Sequence, residues 1–152
     1  MVPKDFLEKA LALAQLSGHI WPEYAAAEAA LESAWGNSKL CREGNNLFGQ
    51  KQSAQHPIYE TLEIPTEEYL NGKWGLVVAH WVSFPTWKES FIERMNLLRR
   101  LAPQYPGYAD ALVATTGEDF VIAVSRNWST DPLRGQKVLT IHKAHFVDGG
   151  IK

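Results

Sequence analysis

The sequence predicts an α+β fold that is mainly helical and carries one small antiparallel β-hairpin. Apolar residues recur at helical spacing in the first and last thirds of the chain. Between them, residues 59–84 are rich in strand-forming side chains and are divided by Asn71-Gly72, a dipeptide typical of tight hairpin turns. No repeat, low-complexity tract or linker interrupts the 152 residues, so we expect one domain, residues 1–152, with a single core.

Two helices are predicted before the hairpin. The first begins at Pro3, because proline suits the first helical position, and it ends at Ser17-Gly18. The second covers residues 24–35 and ends at Gly36. A short capped turn through Cys41 follows, and a polar segment then leads to the hairpin.

Four helices are predicted after the hairpin. Their starts carry local signals, namely a capping box, a proline–glycine break or a Thr or Asp cap. In chain order the predicted starts are Thr86, Tyr108, Thr116 and Asp131. The last helix, with Asp131 as its N-cap and Pro132 at its first position, is expected to run to about His145.

Composition and charge exclude several classes of function. The net charge of −2, without blocks of either sign, argues against nucleic acid as the main partner. Cys41 is the only cysteine, so no intramolecular disulfide can form. Asp5, Glu8 and Lys9 interrupt any apolar run near the N-terminus, so we predict no secretory signal, and no later stretch is apolar enough to span a membrane.

Neither a metal site nor a cofactor site is predicted. The five histidines are scattered, and none occurs in the His-Glu-x-x-His arrangement of a zinc hydrolase. Phosphate-binding glycine motifs are absent as well. The aromatic residues, six Trp, five Tyr and six Phe, suit either a large core or the binding of sugar rings.

Glu32 is the candidate for acid chemistry. It lies in the last turn of the second helix, which is apolar almost all the way round and is therefore expected inside the domain. Burial raises the pKa of a carboxyl group, and the negative end of a helix dipole acts in the same direction. Both effects favour the protonated form that a general acid requires. The alternative is that Glu28 and Glu32, four residues apart, form a narrow solvated stripe.

Four motifs resemble those of a known glycoside hydrolase family, the peptidoglycan-cleaving endo-β-N-acetylglucosaminidases, which includes flagellar muralytic domains and autolysins. The motifs occur in the family's order and are spread over nearly the whole chain. They occupy residues 30–36 (ALESAWG), 45–49 (NNLFG), 66–72 (TEEYLNG) and 129–132 (STDP). The resemblance implies a lysozyme-like fold in which the hairpin flanks a substrate groove. It also implies hydrolysis of the glycan strand on the reducing side of N-acetylglucosamine.

A second carboxyl group is expected from the hairpin, because glycoside hydrolysis usually uses two. The candidates are Glu60, Glu63, Glu67 and Glu68. Neighbouring strand residues face opposite sides, and the match to the family's hairpin motif assigns the acidic position to Glu68. Glu68 would then act as a base on water, or it would stabilise charge while the substrate's own 2-acetamido group serves as nucleophile.

Five further residues are candidates for substrate binding in the groove: Trp35, Asn46, Phe48, Tyr69 and Trp128. For Trp35 and Phe48 a place in the core is at least as consistent with the sequence, and Asn46 would equally serve to hold its turn. Trp128 departs from the family pattern, which has Tyr at this position. An indole stacks on sugars and donates a hydrogen bond, but it has no phenolic proton to give.

Two other functions fit the same residues. A lytic transglycosylase or muramidase would use the same scaffold, and a non-catalytic wall-binding or assembly module would retain the groove without cleavage. For a cell-wall target without a secretory signal, we expect synthesis in the cytoplasm and release by phage-type lysis, as for an endolysin, or by specialised secretion. We expect the protein to act as a monomer on peptidoglycan glycan strands.

Overall fold

The computed structural model describes residues 1–152 and confirms the α+β fold class. The chain forms seven α-helices and one two-stranded antiparallel sheet, and a π-helical turn at Lys143–Val147 follows the last helix. In chain order the elements are α1 (Pro3–Leu16), α2 (Pro22–Glu32), α3 (Lys39–Gly44), β1 (Glu60–Leu70), β2 (Lys73–Ser83), α4 (Trp87–Leu101), α5 (Pro106–Leu112), α6 (Gly117–Trp128) and α7 (Arg134–His142). None of the helices combines the length and the apolar composition needed to cross a membrane.

Helix α2 ends at Glu32, three residues before the predicted end. The Ser33 hydroxyl donates to the Ala29 carbonyl and accepts from the Gly36 amide, so it competes with continued helical bonding. The next three residues, Ala34, Trp35 and Gly36, have φ values of 49°, 59° and 81°. This left-handed turn closes the helix and makes Glu32 its last residue.

The burial of α2 confirms the expectation from its composition. Residues 25–30 are all buried, and five of these six are alanine. Part of this helix packs in a cluster with α1, α3 and the following loop, centred on Phe6 and Phe48. Ala27 belongs to a second cluster formed by α4–α7 around Met95 and Phe120. Helix α2 therefore runs through the centre of the helical body.

The hairpin has the predicted turn. Strands β1 and β2 pair in register from Glu60 with Ser83 to Leu70 with Lys73. Asn71 and Gly72 have φ values of 53° and 79°, as two-residue hairpin turns with two positive φ angles require. The whole tip, residues 69–78, is exposed to solvent.

The last helix starts later than predicted. Asp131 accepts a hydrogen bond from the Leu133 amide at 2.9 Å, but Leu133 occupies the N-cap position and α7 begins at Arg134. The Asp131 side chain therefore caps the turn before the helix instead of the helix itself. The helix also ends at His142, where a wider π-helical turn replaces the final α-turn that the sequence predicted.

Candidate active site

A groove of about 920 Å³ separates the hairpin from the helices. Glu32 and the loop after α3 form one part of its lining, and the hairpin forms one wall. The opposite wall comes from α4, α5, the end of α6 and the segment before α7. The lining includes Glu32, Phe48, Glu68, Tyr69 and Trp128, five of the seven residues singled out from the sequence.

Glu32 reaches the groove as part of an ion pair. Arg134 Nε donates to Glu32 Oε1 at 2.7 Å, and the Glu32 side chain is 23% exposed. The other oxygen, Oε2, lies 4.0 Å from the position that a Cβ atom at Gly49 would occupy. The partly dehydrated carboxyl group expected from the sequence agrees with this exposure, but its arginine partner was not predicted.

Glu28 lies one helical turn before Glu32 and is completely buried, so the solvated stripe considered above does not form. Its Oε2 accepts from Arg94 at 2.7 Å and from Arg134 at 2.8 Å. Burial alone would raise the pKa of Glu28, but the two guanidinium groups outweigh it and hold this pKa below its usual value. Burial would lower the pKa of Arg134, but the charges of Glu28 and Glu32 hold it above its usual value.

Glu68 faces the groove from the hairpin. On β1 the even-numbered residues from 62 to 68 are half-buried, whereas their odd-numbered neighbours, including Glu67, are exposed. Lys51 Nζ donates to Glu68 Oε1 at 2.9 Å and thereby ties the strand to the loop beneath it. Gly75, the cross-strand partner of Glu68, leaves the space beside this carboxylate free of a side chain.

Aromatic rings line much of the remaining groove surface. Phe48 and Trp128 both lie against the Arg94 guanidinium, whose central carbon is 4.6 Å and 4.1 Å from their ring centres. Phe48 is 1% exposed, in agreement with its alternative place in the core. The Trp128 indole donates to the Phe48 carbonyl at 2.9 Å. Tyr69 lies near the hairpin tip with its ring centre 5.4 Å from that of Trp74.

Two of the candidate binding residues lie outside the groove lining. Asn46 is 1% exposed, and its amide donates to the carbonyls of Gln50 and Val82 and accepts from the Gln50 amide. It therefore serves to hold the loop, which is one of the two roles the sequence left open. Trp35 packs edge-on against Phe6 and His145, in agreement with its alternative role in the core.

Sequence reasoning missed several groove residues and one residue behind them. Those in the lining include Lys51, Trp74, Trp81, Tyr105 and Tyr108. Arg134 is buried behind Glu32 and does not line the groove. One signal was present, because Arg134, Val138 and His142 recur at intervals of four on the buried face of α7.

No group of three or more His, Cys, Asp or Glu side chains in the chain is arranged to hold a metal ion. Asp131, which lines the groove, is bound by the Leu133 amide and by Lys137 Nζ at 2.6 Å. These contacts, that of Lys137 first, hold the pKa of Asp131 below its usual value. The carboxyl groups that the groove offers for acid–base chemistry are therefore those of Glu32 and of the hairpin.

Comparison with known protein families gives a match over most of the chain. The family described as "Glucosaminidase: Mannosyl-glycoprotein endo-beta-N-acetylglucosaminidase" matches residues 8–145. These residues include both Glu32 and Glu68 and the segment that leads into α7. The match therefore covers every element that contributes to the groove.

Two bacterial relatives align with most of the chain. The chain is 33% identical over 120 residues to a probable N-acetylmuramidase of Lactococcus lactis, covering 76% of this chain and 27% of that protein. It is 32% identical over 146 residues to the peptidoglycan hydrolase FlgJ of Salmonella typhimurium, covering 91% of this chain and 45% of that protein. The chain thus spans less than half the length of these relatives.

A solved structure extends the likeness to the fold. The glycoside hydrolase domain of Salmonella typhimurium FlgJ, in a C-terminally truncated form, superimposes with a TM-score of 0.70 at 30% sequence identity. The superposition covers 94% of this chain and 97% of that one. The lysozyme-like arrangement expected from the sequence motifs is thereby confirmed.

Proposed function

The chain belongs to this glucosaminidase family, and we propose that it is a peptidoglycan hydrolase that cleaves the glycan strand on the reducing side of N-acetylglucosamine. The observation that carries the proposal is the presence of Glu32 and Glu68 in one groove, delivered by elements that are far apart in sequence. Two carboxyl groups around a glycosidic bond are the usual requirement for its hydrolysis. Residues 1–152 would act together as the catalytic unit.

Glu32 is the proposed general acid. Because Arg134 occupies Oε1, the oxygen available to a sugar is Oε2, which points towards Gly49 and the groove. A sugar bound there would bring its glycosidic oxygen within reach of Oε2, the oxygen from which this carboxyl group would donate the proton. The bond from that oxygen to the anomeric carbon breaks as the proton arrives, and water completes the hydrolysis.

Glu68 is the proposed second carboxylate. It is held at the groove by its ion pair with Lys51, and a carboxylate in this place suits either a base acting on water or a group that stabilises positive charge on the sugar. In the second case the 2-acetamido group of the substrate is the nucleophile. The ring surfaces of Tyr69 and Trp128 would support the sugar rings beside the cleaved bond, whereas Phe48, which is 1% exposed, packs in the core behind the groove.

The test is digestion of purified sacculi, followed by borohydride reduction and mass spectrometry of the released muropeptides. We expect the wild-type chain to clear the suspension and to yield reduced N-acetylglucosamine ends. Replacing Glu32 by Gln should abolish at least 99% of the activity, since general acid catalysis contributes about 100-fold to 10,000-fold. Glu43→Gln is the matched control, because Glu43 is exposed and does not line the groove.

Each alternative has its own outcome in this experiment. Reduced N-acetylmuramic ends would identify a muramidase, and 1,6-anhydro products would identify a lytic transglycosylase. Binding to sacculi without clearing would favour a non-catalytic wall module. Release of glycans from a mannosyl-glycoprotein, with sacculi left intact, would assign the substrate named in the family description instead.

A further inference from the structure

Four charged side chains form one continuous chain behind the groove. Arg94 on α4 donates to Glu28, Glu28 also accepts from Arg134 on α7, and Arg134 donates to Glu32. Arg94, Glu28 and Arg134 are at most 1% exposed. Only the last member, Glu32, reaches the groove.

Stability alone is a weak reason for this arrangement. Removing charged groups from water is costly, and well-packed apolar residues in place of a buried ion pair are often equally or more stabilising. The network is also incompletely satisfied, since Glu28 Oε1, Arg94 Nε and Arg94 Nη1 have no hydrogen-bond partner. A functional role for the network at Glu32, the member that reaches the groove, explains the arrangement better than a contribution to folding does.

Arg134 has a geometry that fixes the Glu32 carboxylate. Its Nε donates to Glu32, its Nη1 donates to Ser125 at 2.9 Å and its Nη2 donates to Glu28. Each nitrogen of the planar guanidinium therefore has a partner on a different side chain. A lysine ammonium is a single point on a flexible stem and does not reproduce this three-directional hold.

We propose that Arg134 is a positioning residue that holds Oε1 of Glu32 and thereby turns Oε2 towards the groove. Glu28 supplies the counter-charge that keeps the guanidinium in place, and Arg94 balances Glu28 from the other side. Arg134 does not line the groove, so it acts on the substrate only through Glu32. The inference rests on the proposed function of Glu32 as the acid.

The position of Arg134 at the start of α7 supports this role. The turn before the helix is fixed by Asp131, whose side chain is bound by both the Leu133 amide and Lys137. The Arg134 amide itself donates to the Asp131 carbonyl at 3.2 Å. The groove segment and the residue that orients Glu32 are thus parts of one structural unit.

The experiment compares Arg134→Lys and Arg134→Ala with the wild-type chain on soluble glycan fragments. We expect kcat to fall about 100-fold in both variants, because misplacing a reacting group by about 1 Å costs about that much. KM should stay within about twofold, since substrate contacts are retained. Adding guanidinium ion to Arg134→Ala should raise the kcat of this variant at least about tenfold. Arg126→Ala, which removes an exposed arginine paired with Asp110, is the control and should keep full activity.

A double-variant measurement separates positioning from folding. All variants are assayed at a temperature where urea unfolding shows them to be folded. In a Glu32→Gln background, adding Arg134→Lys should change the residual rate less than twofold, because the two residues act as one unit. A further large loss in that background, or wild-type kcat in Arg134→Lys alone, would overturn the positioning role.

Failure of the proposed function gives a different pattern. If Glu32→Gln retains activity while the wild-type chain is active, the acid assignment falls, whatever the Arg134 variants do. If Glu32→Gln is inactive but Arg134→Lys and Arg134→Ala are fully active, only the positioning role falls. A wild-type chain that cleaves no glycan overturns both.

Discussion

The indole nitrogen of Trp128 lies 2.9 Å from the carbonyl oxygen of Phe48 and donates to it across 80 residues of sequence. This bond joins the end of α6 to the loop that carries Gly49 and Lys51, two residues of the groove lining. It also uses the only hydrogen-bond donor of the indole. Trp128 therefore offers a sugar its ring surface and not its N–H, a distinction the sequence left open.

Replacing Trp128 by Phe should keep a ring in the groove but leave the Phe48 carbonyl without its partner. A buried acceptor without a partner costs about 1–3 kcal/mol, so we expect the free energy of unfolding to fall by that amount in urea titrations. Trp74→Phe is the control, since Trp74 is 71% exposed and should change stability by less than about 0.5 kcal/mol. Equal stabilities of the two variants would contradict the structural role of the indole N–H.

The hairpin offers a matched pair of substitutions. Glu68→Gln should lower kcat by at least about 100-fold if this carboxylate acts as a base, because the amide cannot accept a proton from water. Glu67→Gln removes the exposed carboxylate one residue earlier, which also lies in the groove lining but has no ion pair with Lys51, and should stay within about twofold of wild type. Both are measured by clearing of sacculi. If the Glu67 variant were the inactive one, the assignment of the second carboxylate would have to be reversed.

The buried His19 should make the stability of the fold depend on pH. Burial lowers the pKa of His19 to about 4, below its ordinary value of 6.5, although its Nε2 lies 2.8 Å from the Phe91 carbonyl. The unfolded chain therefore binds a proton at higher pH than the folded chain does, so stability falls as pH drops from about 7 to about 4. The loss amounts to about 3 kcal/mol, by the free-energy equivalent of the shift.

Urea unfolding of the wild-type chain and of His19→Gln over this pH range checks the prediction. The variant should lose most of the pH dependence between about 7 and about 4, whereas His80→Gln, at an exposed site, should retain it. Glu28 contributes to the stability over a lower pH range. Because the pKa of Glu28 is depressed in the folded chain, its contribution is lost only as the pH falls below 4.5, the ordinary pKa of a glutamate. An unchanged slope in His19→Gln would disprove the assignment.

Asn46 tests the difference between loop support and substrate binding. Asn46→Ala removes three buried hydrogen bonds and should destabilise the fold by about 3 kcal/mol. The KM of the folded fraction for glycan fragments should change less than about twofold. Asn96→Ala is the control, because Asn96 is exposed and bonds only to Glu93. A tenfold rise in KM with unchanged stability would instead support contact with an acetamido group.

Local signals predicted most of the secondary structure correctly. Pro3, the Asn71-Gly72 turn and the capping box of Thr86 with Glu89 each act within a few residues, and each is found where expected. The predicted end of α2 was wrong because the true end depends on the Ser33 hydroxyl. This hydroxyl bonds to the backbone before it, at Ala29, and after it, at Gly36. A competition of that kind leaves no clear trace in the pattern of apolar residues.

The candidate carboxylates were predictable from motifs, but their electrostatic environment was not. Glu28, Arg94 and Arg134 lie on three helices, and their pairing depends on how those helices pack. Arg94 stands among Phe91, Met95 and Leu98 on the apolar side of α4, a charge that needs a buried partner. A charged residue at an apolar position of a helix is visible in a sequence. Here one acidic residue, Glu28, and two basic residues, Arg94 and Arg134, would have suggested a buried network.

The two proposed catalytic carboxylates belong to regions that differ in burial. Glu32 ends a helix enclosed by the core, whereas Glu68 adjoins residues 69–78, which are exposed throughout. A segment with few buried contacts opens locally at far lower cost than the whole chain unfolds, so its amide hydrogens should exchange first. We therefore expect the hairpin tip to open locally while the helical body around Glu32 stays folded.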